Sequence, residues 1–538
     1  MLFNSLKFLI FFPVAALLYY LVPPRWRYIW LLIISYFFYG CFAWRYIFIM
    51  LGVTVITFAA GLLIERARGG SVEEEDASYA APVPEPAIAA DGSRHSAHSS
   101  HAARAARAAR TAPHKHSSGF VWMLTALLLC LGILFFFKYT NFFIGDVLTG
   151  ISAVFPELGL GSVSFSIALP VGISFFIFQS LSYVFEVYKG KYPAEHNFLY
   201  YAAFVSFFPL ICSGPIERGP HLLPQMHEIH KLDLHKIKRG LLLMLWGYFQ
   251  KLVISDRAAI LVTQVFNNYH AYEGFQLVTA AVFFGIQIYG DFAGYSNLAI
   301  GVANVLGFDI KLNFDTPYLS RSVGEFWRRW HISLSSWFRD YIYFPLGGGR
   351  CSRGRKYLNV MIVFLVSGLW HGAGWTFIIW GGLNGLFQVL EQQFAPQRAW
   401  MCEKLHINTE SLAHKVVQTI ITFCLVDFAW IFFNAADIQT ALGFIWRMFT
   451  TLNISNLFGG ALFELGLSSI EMHIFVAAMV LQIIVSLFNY NGITVRDVLC
   501  KQGLLWQDII IITGVFIVLI FGIYGPAYNA SSFIYMQF

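Results

Sequence analysis

Residues 119–137 read GFVWMLTALLLCLGILFFF, an apolar run that contains no charged side chain. A helix needs roughly 20 mostly apolar residues to cross the hydrocarbon core of a bilayer, and this run has about that length. Strands of a membrane β-barrel alternate apolar and polar residues, whereas the apolar residues are continuous in this run. The run therefore predicts a membrane-spanning helix.

The composition of all 538 residues agrees with that prediction, because 57% are hydrophobic and only 12% are charged. A soluble globular chain is about one quarter charged, and no soluble fold of this size buries so much apolar surface in one core. The composition excludes a soluble enzyme, a disordered chain and a nucleic-acid-binding domain. The net charge of +6 is typical of basic cytoplasmic loops. None of the seven cysteines forms a C-x-x-C pair, so no zinc site is indicated.

We predict an all-α polytopic membrane protein with about 11 transmembrane helices, each built on a run of roughly 20 apolar residues. The candidate spans lie near 6–22, 28–43, 46–64, 119–137, 168–187, 198–212, 240–255, 274–290, 357–371, 373–391, 413–433, 470–488 and 507–525. Several runs are short or contain proline or glycine. For the runs at 198–212 and 357–371 we expect re-entrant or interfacial helices.

Lysine and arginine residues in the loops predict the orientation of the chain. Basic residues follow the first and third spans and the span at 168–187, and others lie in 231–239 and between Arg321 and Lys356. If these loops face the cytoplasm, the N-terminus lies on the outer side of a multi-pass protein.

Composition divides the chain into N-terminal membrane helices, a polar insert, a core, and C-terminal helices with a tail: 1–65, 66–118, 119–400 and 401–538. In the core, the segments near 213–240 and 313–356 are predicted to lie at the cytoplasmic interface. The insert contains a Pro/Ala stretch, an Ala-Ala-Arg repeat and five histidines: His95, His98, His101, His114 and His116. Its composition favours a disordered cytoplasmic linker over a metal site or a basic helix on anionic lipid.

Polar groups at membrane depth are costly and therefore indicate candidate sites. The first group lies in QIYGDFAGYSN, residues 287–297, where Asp291 ends an apolar run. Two roles stay open for this carboxylate. It either pairs with an arginine or orients a histidine, like the third group of a catalytic relay, or it is a structural carboxylate at a helix end.

The second group lies in residues 325–340, where tryptophan and arginine interleave as they do at a membrane–water boundary. Arginine side chains also bind phosphates well. Arg328 and Arg329 are therefore either an interfacial anchor or a site for an anionic, phosphate-bearing donor at the mouth of a cytoplasmic cavity. His331 lies in the same segment, and a structural role stays open for it.

The third group lies in residues 364–376, where His371 has a strongly apolar setting beside Trp370 and several glycines. Glycines let backbone or substrate approach closely. A buried imidazole that is neutral near pH 7 accepts a proton from a hydroxyl as a general base. The alternative is a histidine that only forms a hydrogen bond between helices. The chain has no G-x-S-x-G, H-E-x-x-H or P-loop motif.

At these residues the sequence resembles the membrane-bound O-acyltransferase family, and most of all the bacterial branch that O-acetylates alginate and other exported polysaccharides. The matching stretches are SGPIERGPHLLPQ (213–225), QIYGDFAGYSNLAIG (287–301), NFDTPYLSRSVGEFWRRWHISLSSWFRDYIYFPLGGGR (313–350) and GLWHGAGWTFIIWG (368–381). The resemblance covers nearly the whole chain apart from the insert. Its most specific part is the pair WRRWHISLS and GLWHGA, in that order.

The resemblance implies a ring of membrane helices around a central funnel that opens to the cytoplasm for the acyl donor. His371 then matches the histidine deep in the tunnel that is most often called catalytic. His331 matches a second histidine that lies near the cytoplasmic end and is needed for activity. Five further residues are expected to support the site or line the channel: Asp291, Tyr295, Ser296, Trp370 and Asn384.

The resemblance also implies the chemistry. Relatives are thought to take acetyl from cytoplasmic acetyl-CoA, which is a donor substrate, so we expect no cofactor and no metal. They pass the acetyl group across the bacterial cytoplasmic membrane to an extracytoplasmic partner of the SGNH type, which modifies a polysaccharide. Arg328 and Arg329 are expected to hold the donor phosphates. Tyr535, in the C-terminal FIYMQF, is expected to relay the acyl group.

Three other functions stay open beside acetyl transfer. A carrier protein in place of acetyl-CoA supplies D-alanine or another acyl group in one branch of the same family. A polysaccharide or lipid transporter also uses histidine and aspartate inside the membrane, although no inverted repeat is evident in the hydropathy. The last alternative is a scaffold without catalytic activity.

Overall fold

The computed structural model describes residues 1–68, 117–144, 151, 155, 167–453, 456 and 460–524. Every regular element in these ranges is a helix, which confirms the predicted all-α class. The insert predicted at 66–118 lies almost entirely outside the described residues, and Tyr535 lies outside them as well. The division into four parts stays a prediction.

The first four helices come from very apolar sequence: α1 Leu6–Leu21, α2 Arg27–Ala43, α3 Ile47–Ala67 and α4 Ser117–Phe142. Ser5 begins α1 because its hydroxyl accepts a hydrogen bond from the Phe8 amide at 3.3 Å. Helix α4 continues past the apolar run that predicted it, so Lys138 lies inside the helix. A lysine is thereby carried into the packed interior of the protein.

The middle of the chain contributes α5 Ile173–Tyr188, α6 Phe198–Ser206, α7 Gly219–His227, α8 Leu234–Tyr248, α9 Asp256–Asn267 and α10 Gly274–Val305. A π-helical turn at Phe249–Ser255 joins α8 to α9. Asp233 begins α8 by accepting a hydrogen bond from the His235 amide at 2.8 Å. The polar segment 213–240 folds into α7 and the start of α8, and Leu222 and Leu223 in it are fully buried.

Helices α8 and α10 pack with their backbones in contact. A Cβ atom on Gly247 would lie 2.6 Å from the Gly294 carbonyl oxygen, and one on Gly240 would lie 2.7 Å from the Gly301 oxygen. Small residues at such positions are the usual way for two membrane helices to approach closely. The contact fixes the position of α10, which carries Asp291 and Ser296.

The remaining helices are α11 Val323–Arg329, α12 Ile332–Phe338, α13 Arg353–His371, α14 Trp375–Gln393, α15 Ala395–Lys404, α16 Leu412–Asn434, α17 Ile438–Thr450, α18 Ser469–Tyr490, α19 Val495–Cys500 and α20 Leu504–Phe521. The short helices α11 and α12 lie on either side of His331. Helix α13 ends at His371. The two candidate histidines are therefore both at helix ends.

Six stretches of the described residues are long and apolar enough to cross a membrane: Pro24–Ala67, Ser118–Phe142, Gly274–Val305, Leu412–Asn434, Ser469–Tyr490 and Leu504–Phe521. The first of these contains both α2 and α3. Two shorter helices, α1 and α5, are also apolar. These elements confirm a polytopic membrane protein, and the count of about 11 spans stays a prediction.

Arg68, Lys189, Arg218 and Arg339 lie together at one side of the protein, and we call this side the basic face. At this face Arg68 donates a hydrogen bond to the Val187 carbonyl at 2.7 Å, and Arg218 pairs with Asp340 at 2.6 Å. Burial alone raises the pKa of Asp340, but hydrogen bonds from Arg339 and Arg218 hold that pKa below its usual value. Helix α5 ends at this face, so its first residues lie at the opposite face.

Candidate functional site

His371 is buried where α13 meets α14, with 3% of its surface exposed. Glycines allow this contact. A Cβ atom on Gly368 would lie 2.3 Å from the Phe377 carbonyl oxygen, and one on Gly381 would lie 2.3 Å from the Phe364 oxygen. After His371 the backbone leaves the helix at Gly372 in an extended conformation. The imidazole is thus held at the end of a rigid helix pair.

His331 lies between α11 and α12 in the left-handed backbone region, with φ of 45°. A non-glycine residue in this region is uncommon, and such residues are frequent at functional sites. Backbone hydrogen bonds on both sides hold the turn, from Asp315 to the Arg329 carbonyl and from Ile332 to the Asn313 carbonyl, each at 2.9 Å. His331 is 1% exposed.

The structure brings the two histidines together. Their ring centroids are 6.3 Å apart, although 39 residues separate them in the chain. Trp370 packs against both, with centroid distances of 4.9 Å to His371 and 5.9 Å to His331. Trp380 packs on His371 at 4.8 Å, and Phe292 packs on His331 at 4.7 Å. Two imidazoles therefore share one aromatic enclosure.

Hydrogen bonds identify the basic nitrogen of each ring. His371 Nδ1 lies 2.7 Å from the Ser367 carbonyl oxygen, which only accepts, so Nδ1 carries the proton. His331 Nδ1 lies 3.1 Å from Asn313 Oδ1, which also only accepts. In both neutral rings Nε2 then carries the lone pair. This tautomer suits a general base that accepts a proton at Nε2.

Asn313 holds His331 in place and was not among the residues predicted from the sequence. Its Oδ1 also accepts a hydrogen bond from the Ser333 hydroxyl at 2.9 Å, and its Nδ2 donates to Ser296 Oγ at 3.1 Å. An asparagine is an ordinary residue in a loop, so its residue type alone gave no signal. Its place at the start of the long matching segment 313–350 was the available indication.

A small cavity reaches His371 from the side opposite the basic face. It has a volume of about 30 Å³ and is lined by Leu169–Phe175, Cys212, Lys138, Trp370 and His371. Residues 173–175 begin α5, whose other end lies at the basic face. A cavity of this size has room for a water molecule or a small group. His371 therefore has access to that side of the protein.

Comparison with known proteins agrees with this geometry. A family model described as the membrane-bound O-acyltransferase family (MBOAT) matches residues 189–428. The chain is 35% identical over 457 residues to the protein named "Probable alginate O-acetylase AlgI" of Pseudomonas aeruginosa, covering 84% of this chain and 75% of that protein. The chain belongs to the membrane-bound O-acyltransferase family. The protein is thus a membrane acyltransferase, as the sequence predicted.

Other relatives of this acyltransferase carry different names. A peptidoglycan O-acetyltransferase of Helicobacter pylori is 29% identical over 474 residues, covering 82% of this chain and 78% of that protein. A teichoic acid D-alanyltransferase of Streptococcus thermophilus is 29% identical over 253 residues, covering 45% of this chain and 59% of that protein. The family resemblance therefore extends to proteins that differ in acyl group and in acceptor.

In this acyltransferase, two neighbouring faces of α10 serve different partners. Phe292 and Ser296 are four residues apart and lie toward His331, Ser296 through Asn313. Asp291 and Tyr295 form the adjacent face and lie toward Lys251. Lys251 Nζ is 2.6 Å from Asp291 Oδ1 and 5.5 Å from the centre of the Tyr295 ring. The structure thus places Ser296 beside the site and pairs Asp291 with a lysine.

The lysine that pairs with Asp291 is fully buried and lies in the π-helical turn. Lys251 Nζ is also 2.8 Å from Asp256 Oδ1. From the sequence we expected an arginine or a histidine as a partner of Asp291, and the structure supplies Lys251 instead. This buried ion network joins α9 and α10 and gives Asp291 a structural contact.

Asn384 and Trp370 support the histidines in different ways. Asn384 accepts a hydrogen bond from Trp327 Nε1 at 3.2 Å and donates one to the Trp380 carbonyl at 2.8 Å. It therefore binds the Trp327 indole to α14, one turn after Trp380, whose ring packs on His371. Trp370 contacts both imidazoles directly. Asn384 thus contacts residues around the site and not the histidines themselves, whereas Trp370 contacts both histidine rings.

The two predicted donor-binding arginines have different surroundings. Arg329 Nε is 3.0 Å from Glu325 Oε1, and its Nη1 is 2.9 Å from Asp315 Oδ2. Two carboxylates thus offset its charge. Arg328 is exposed, and among the described residues no carboxylate forms an ion pair with it. Its guanidinium is therefore better placed than that of Arg329 to meet a phosphate.

Metal ligation has no candidate in the part of the chain that the structure describes. No group of three or more His, Cys, Asp or Glu side chains is close enough there to hold an ion. The proposed acyl relay Tyr535 lies outside the described residues, and so do the five histidines of the insert. The chemistry of the described site therefore centres on His331 and His371.

Proposed function

We propose that the protein transfers an acetyl group from a cytoplasmic thioester donor across the membrane, for O-acetylation of an exported or cell-surface polysaccharide. The names of two relatives support acetyl transfer to a glycan, one an alginate O-acetylase and the other a peptidoglycan O-acetyltransferase. Both matches cover more than four fifths of this chain. The bacterial cytoplasmic membrane is the proposed location.

The observation that carries this proposal is the pair of buried imidazoles with ring centroids 6.3 Å apart. Both rings have Nδ1 bonded to an oxygen acceptor, so both present Nε2 as a base. A thioester needs no strong activation, and one positioned base together with proximity accelerates its acyl transfer. The aromatic rings around the two histidines leave little room for water beside them, which would limit hydrolysis of the donor.

The proposed step is an acyl transfer from sulfur to oxygen. His371 Nε2 accepts the proton of an acceptor hydroxyl while that oxygen attacks the carbonyl carbon of the thioester. A C–O bond forms, the C–S bond breaks, and the protonated His371 returns its proton to the thiolate that leaves. His331, held by Asn313, helps to position the reacting groups beside His371.

Acetyl-CoA is the proposed donor, and the basic face is proposed to be the cytoplasmic one, with the N-terminus outward. Arg328 is the first candidate for a contact with the donor phosphates because no described carboxylate offsets its charge. On the opposite side, the His371 cavity is the proposed route to an acceptor. An SGNH-type partner and Tyr535 as an acyl relay remain part of the proposal.

Labelling of Cys351 tests the orientation. This cysteine lies in the turn before α13, near the basic face, and is partly exposed. In a variant that keeps Cys351 as its only cysteine, a membrane-impermeant maleimide should label inverted vesicles and not intact cells. Labelling of intact cells alone would place the basic face outside and would remove the cytoplasmic entry of the donor.

A second candidate is transfer of D-alanine or another acyl group from a carrier protein. It is favoured by the teichoic acid D-alanyltransferase relative, although that match covers only 45% of this chain. Purified protein in proteoliposomes distinguishes the two donors. We expect release of free CoA from acetyl-CoA and no transfer from a D-alanyl carrier protein. A knockout should also lose glycan acetyl esters, and unchanged ester content would refute the proposal.

A further inference from the structure

Lys138 is a buried cation next to His371. Its Nζ donates hydrogen bonds to the carbonyl oxygens of Trp370, at 2.5 Å, and of His371, at 3.1 Å. The side chain is 9% exposed, lines the His371 cavity and lies over the Trp370 ring with Nζ 5.7 Å from its centre. A charged side chain inside a membrane protein is costly, so it indicates a function.

One N–H group of the Lys138 ammonium is not used by its two hydrogen bonds. An ammonium has three N–H groups, and the two carbonyls of the α13 end take two of them. Among the described residues no carboxylate forms an ion pair with Lys138. In the ammonium form one N–H therefore remains for a group that enters the cavity.

A second donor lines the same cavity. The indole Nε1 of Trp370 is buried and has no hydrogen-bond acceptor among the described residues, which is also true of Trp330, Trp380 and Trp430. Of these four tryptophans, Trp370 is the one that lines the cavity, so a group in the cavity would supply the acceptor that its Nε1 lacks. Trp370 and Lys138 thus offer two unused N–H groups beside the proposed base His371.

We propose that Lys138 and Trp370 together bind the carbonyl oxygen of the acyl group and stabilise the negative charge that this oxygen gains during transfer. This inference rests on the proposed function and deepens it. Donors that are fixed before the reaction and aimed at a developing oxyanion are among the largest contributors to enzymatic rates. The ligand they take is an acyl ester or thioester carbonyl.

The atoms of the step balance with these roles. The hydroxyl oxygen attacks the carbonyl carbon, the carbonyl electron pair moves onto its oxygen, and His371 Nε2 takes the hydroxyl proton. Lys138 and Trp370 donate hydrogen bonds to the oxyanion and transfer no proton. When the carbonyl forms again, the thiolate leaves and receives the proton from His371.

The alternative is that Lys138 only anchors the end of α13, where a cation favours the carbonyl-rich terminus of a helix. Tyr139 provides a matched control for that role. Its hydroxyl donates to the Leu369 carbonyl at 2.6 Å, in the same last turn of α13, and it does not line the cavity. Tyr139→Phe therefore removes an anchor of this turn without removing an oxyanion donor.

The test measures CoA release from acetyl-CoA by the full-length protein in proteoliposomes, for wild type and variants of equal amount and thermal stability. We expect Lys138→Met to lower kcat by about 10²–10³-fold with little change in KM, as for loss of one oxyanion donor. Lys138→Arg should retain a substantial part of the rate. Trp370→Phe, which keeps an aromatic ring, should lower kcat roughly 10-fold or more.

Tyr139→Phe should keep a rate close to wild type. If Lys138→Met loses no more rate than Tyr139→Phe, or if its loss lies in KM alone, the inference is overturned. If Lys138→Met does not fold, the rates of Lys138→Arg and Trp370→Phe test the inference instead. A Trp370→Phe variant with the wild-type kcat would refute the donor pair. Absence of turnover in wild type overturns the proposed function, and the inference with it.

Discussion

Replacing Asn313 with alanine should lower both the stability of the protein and its catalytic rate, the rate because Asn313 positions His331. The change removes the acceptor of His331 Nδ1, at 3.1 Å, and of the Ser333 hydroxyl, at 2.9 Å. Each buried donor left without a partner costs about 1–3 kcal/mol, so for these two donors we expect a loss of about 2–6 kcal/mol in unfolding free energy. The lost positioning of one hydrogen bond, about 1.5 kcal/mol, corresponds to about a tenfold lower rate.

The assay is CoA release per folded molecule, with thermal stability measured on the same sample. Asn359→Ala is the matched control. Asn359 is fully buried and donates to the Leu346 carbonyl at 3.1 Å, at the basic-face end of α13. It should lose stability and keep its rate per molecule. An Asn313→Ala protein with the wild-type rate would refute the view that Asn313 sets the geometry of His331.

Three further changes test other parts of the account. Gly368→Ala should lower the rate at least about tenfold, because its Cβ would lie 2.3 Å from the Phe377 carbonyl oxygen and would force α13 away from α14. Gly382→Ala should be active, because the nearest atom to its Cβ, in the Leu365 side chain, is 3.7 Å away. Arg328→Ala should raise the KM for acetyl-CoA several-fold with unchanged stability, whereas Arg329→Ala should mainly lower stability because it breaks two ion pairs. Lys251→Met should cost about 3–5 kcal/mol in unfolding free energy, because it leaves two buried carboxylates without their lysine.

Each of these expectations has a result that contradicts it. Equal rates for the two glycine variants, measured as CoA release, would show that the helix contact does not position His371. An unchanged KM in Arg328→Ala would exclude that arginine from the donor site. A Lys251→Met protein with the wild-type melting temperature would show that the buried ion network adds nothing to stability.

The helices of the core were predictable because an apolar run of roughly 20 residues rarely forms anything but a membrane helix. The predicted runs at 28–43, 373–391 and 413–433 match α2, α14 and α16 to within a few residues. The run at 274–290 was too short, because α10 continues to Val305 through polar residues that find partners inside the protein. A hydropathy profile ends a predicted helix at polar residues, because it takes no account of partners that come from elsewhere in the chain.

The histidine pair was predictable from its motifs, but its surroundings were not. Asp291 and Ser296 lie five residues apart in one motif, yet they are on different faces of α10 and meet different partners. The surroundings of Lys138 are not evident from the sequence, because its neighbours Trp370 and His371 are more than 200 residues away. Such contacts depend on tertiary packing, which a single sequence does not reveal.

In the proposed mechanism a buried imidazole moves a proton while an acyl group is transferred. The most direct measurement is acetyl-CoA turnover by His371→Ala, compared with His473→Ala, which removes an exposed histidine in α18. We expect His371→Ala to fold, insert and lose turnover by several orders of magnitude, with His473→Ala close to wild type. Normal turnover by folded His371→Ala would contradict this mechanism.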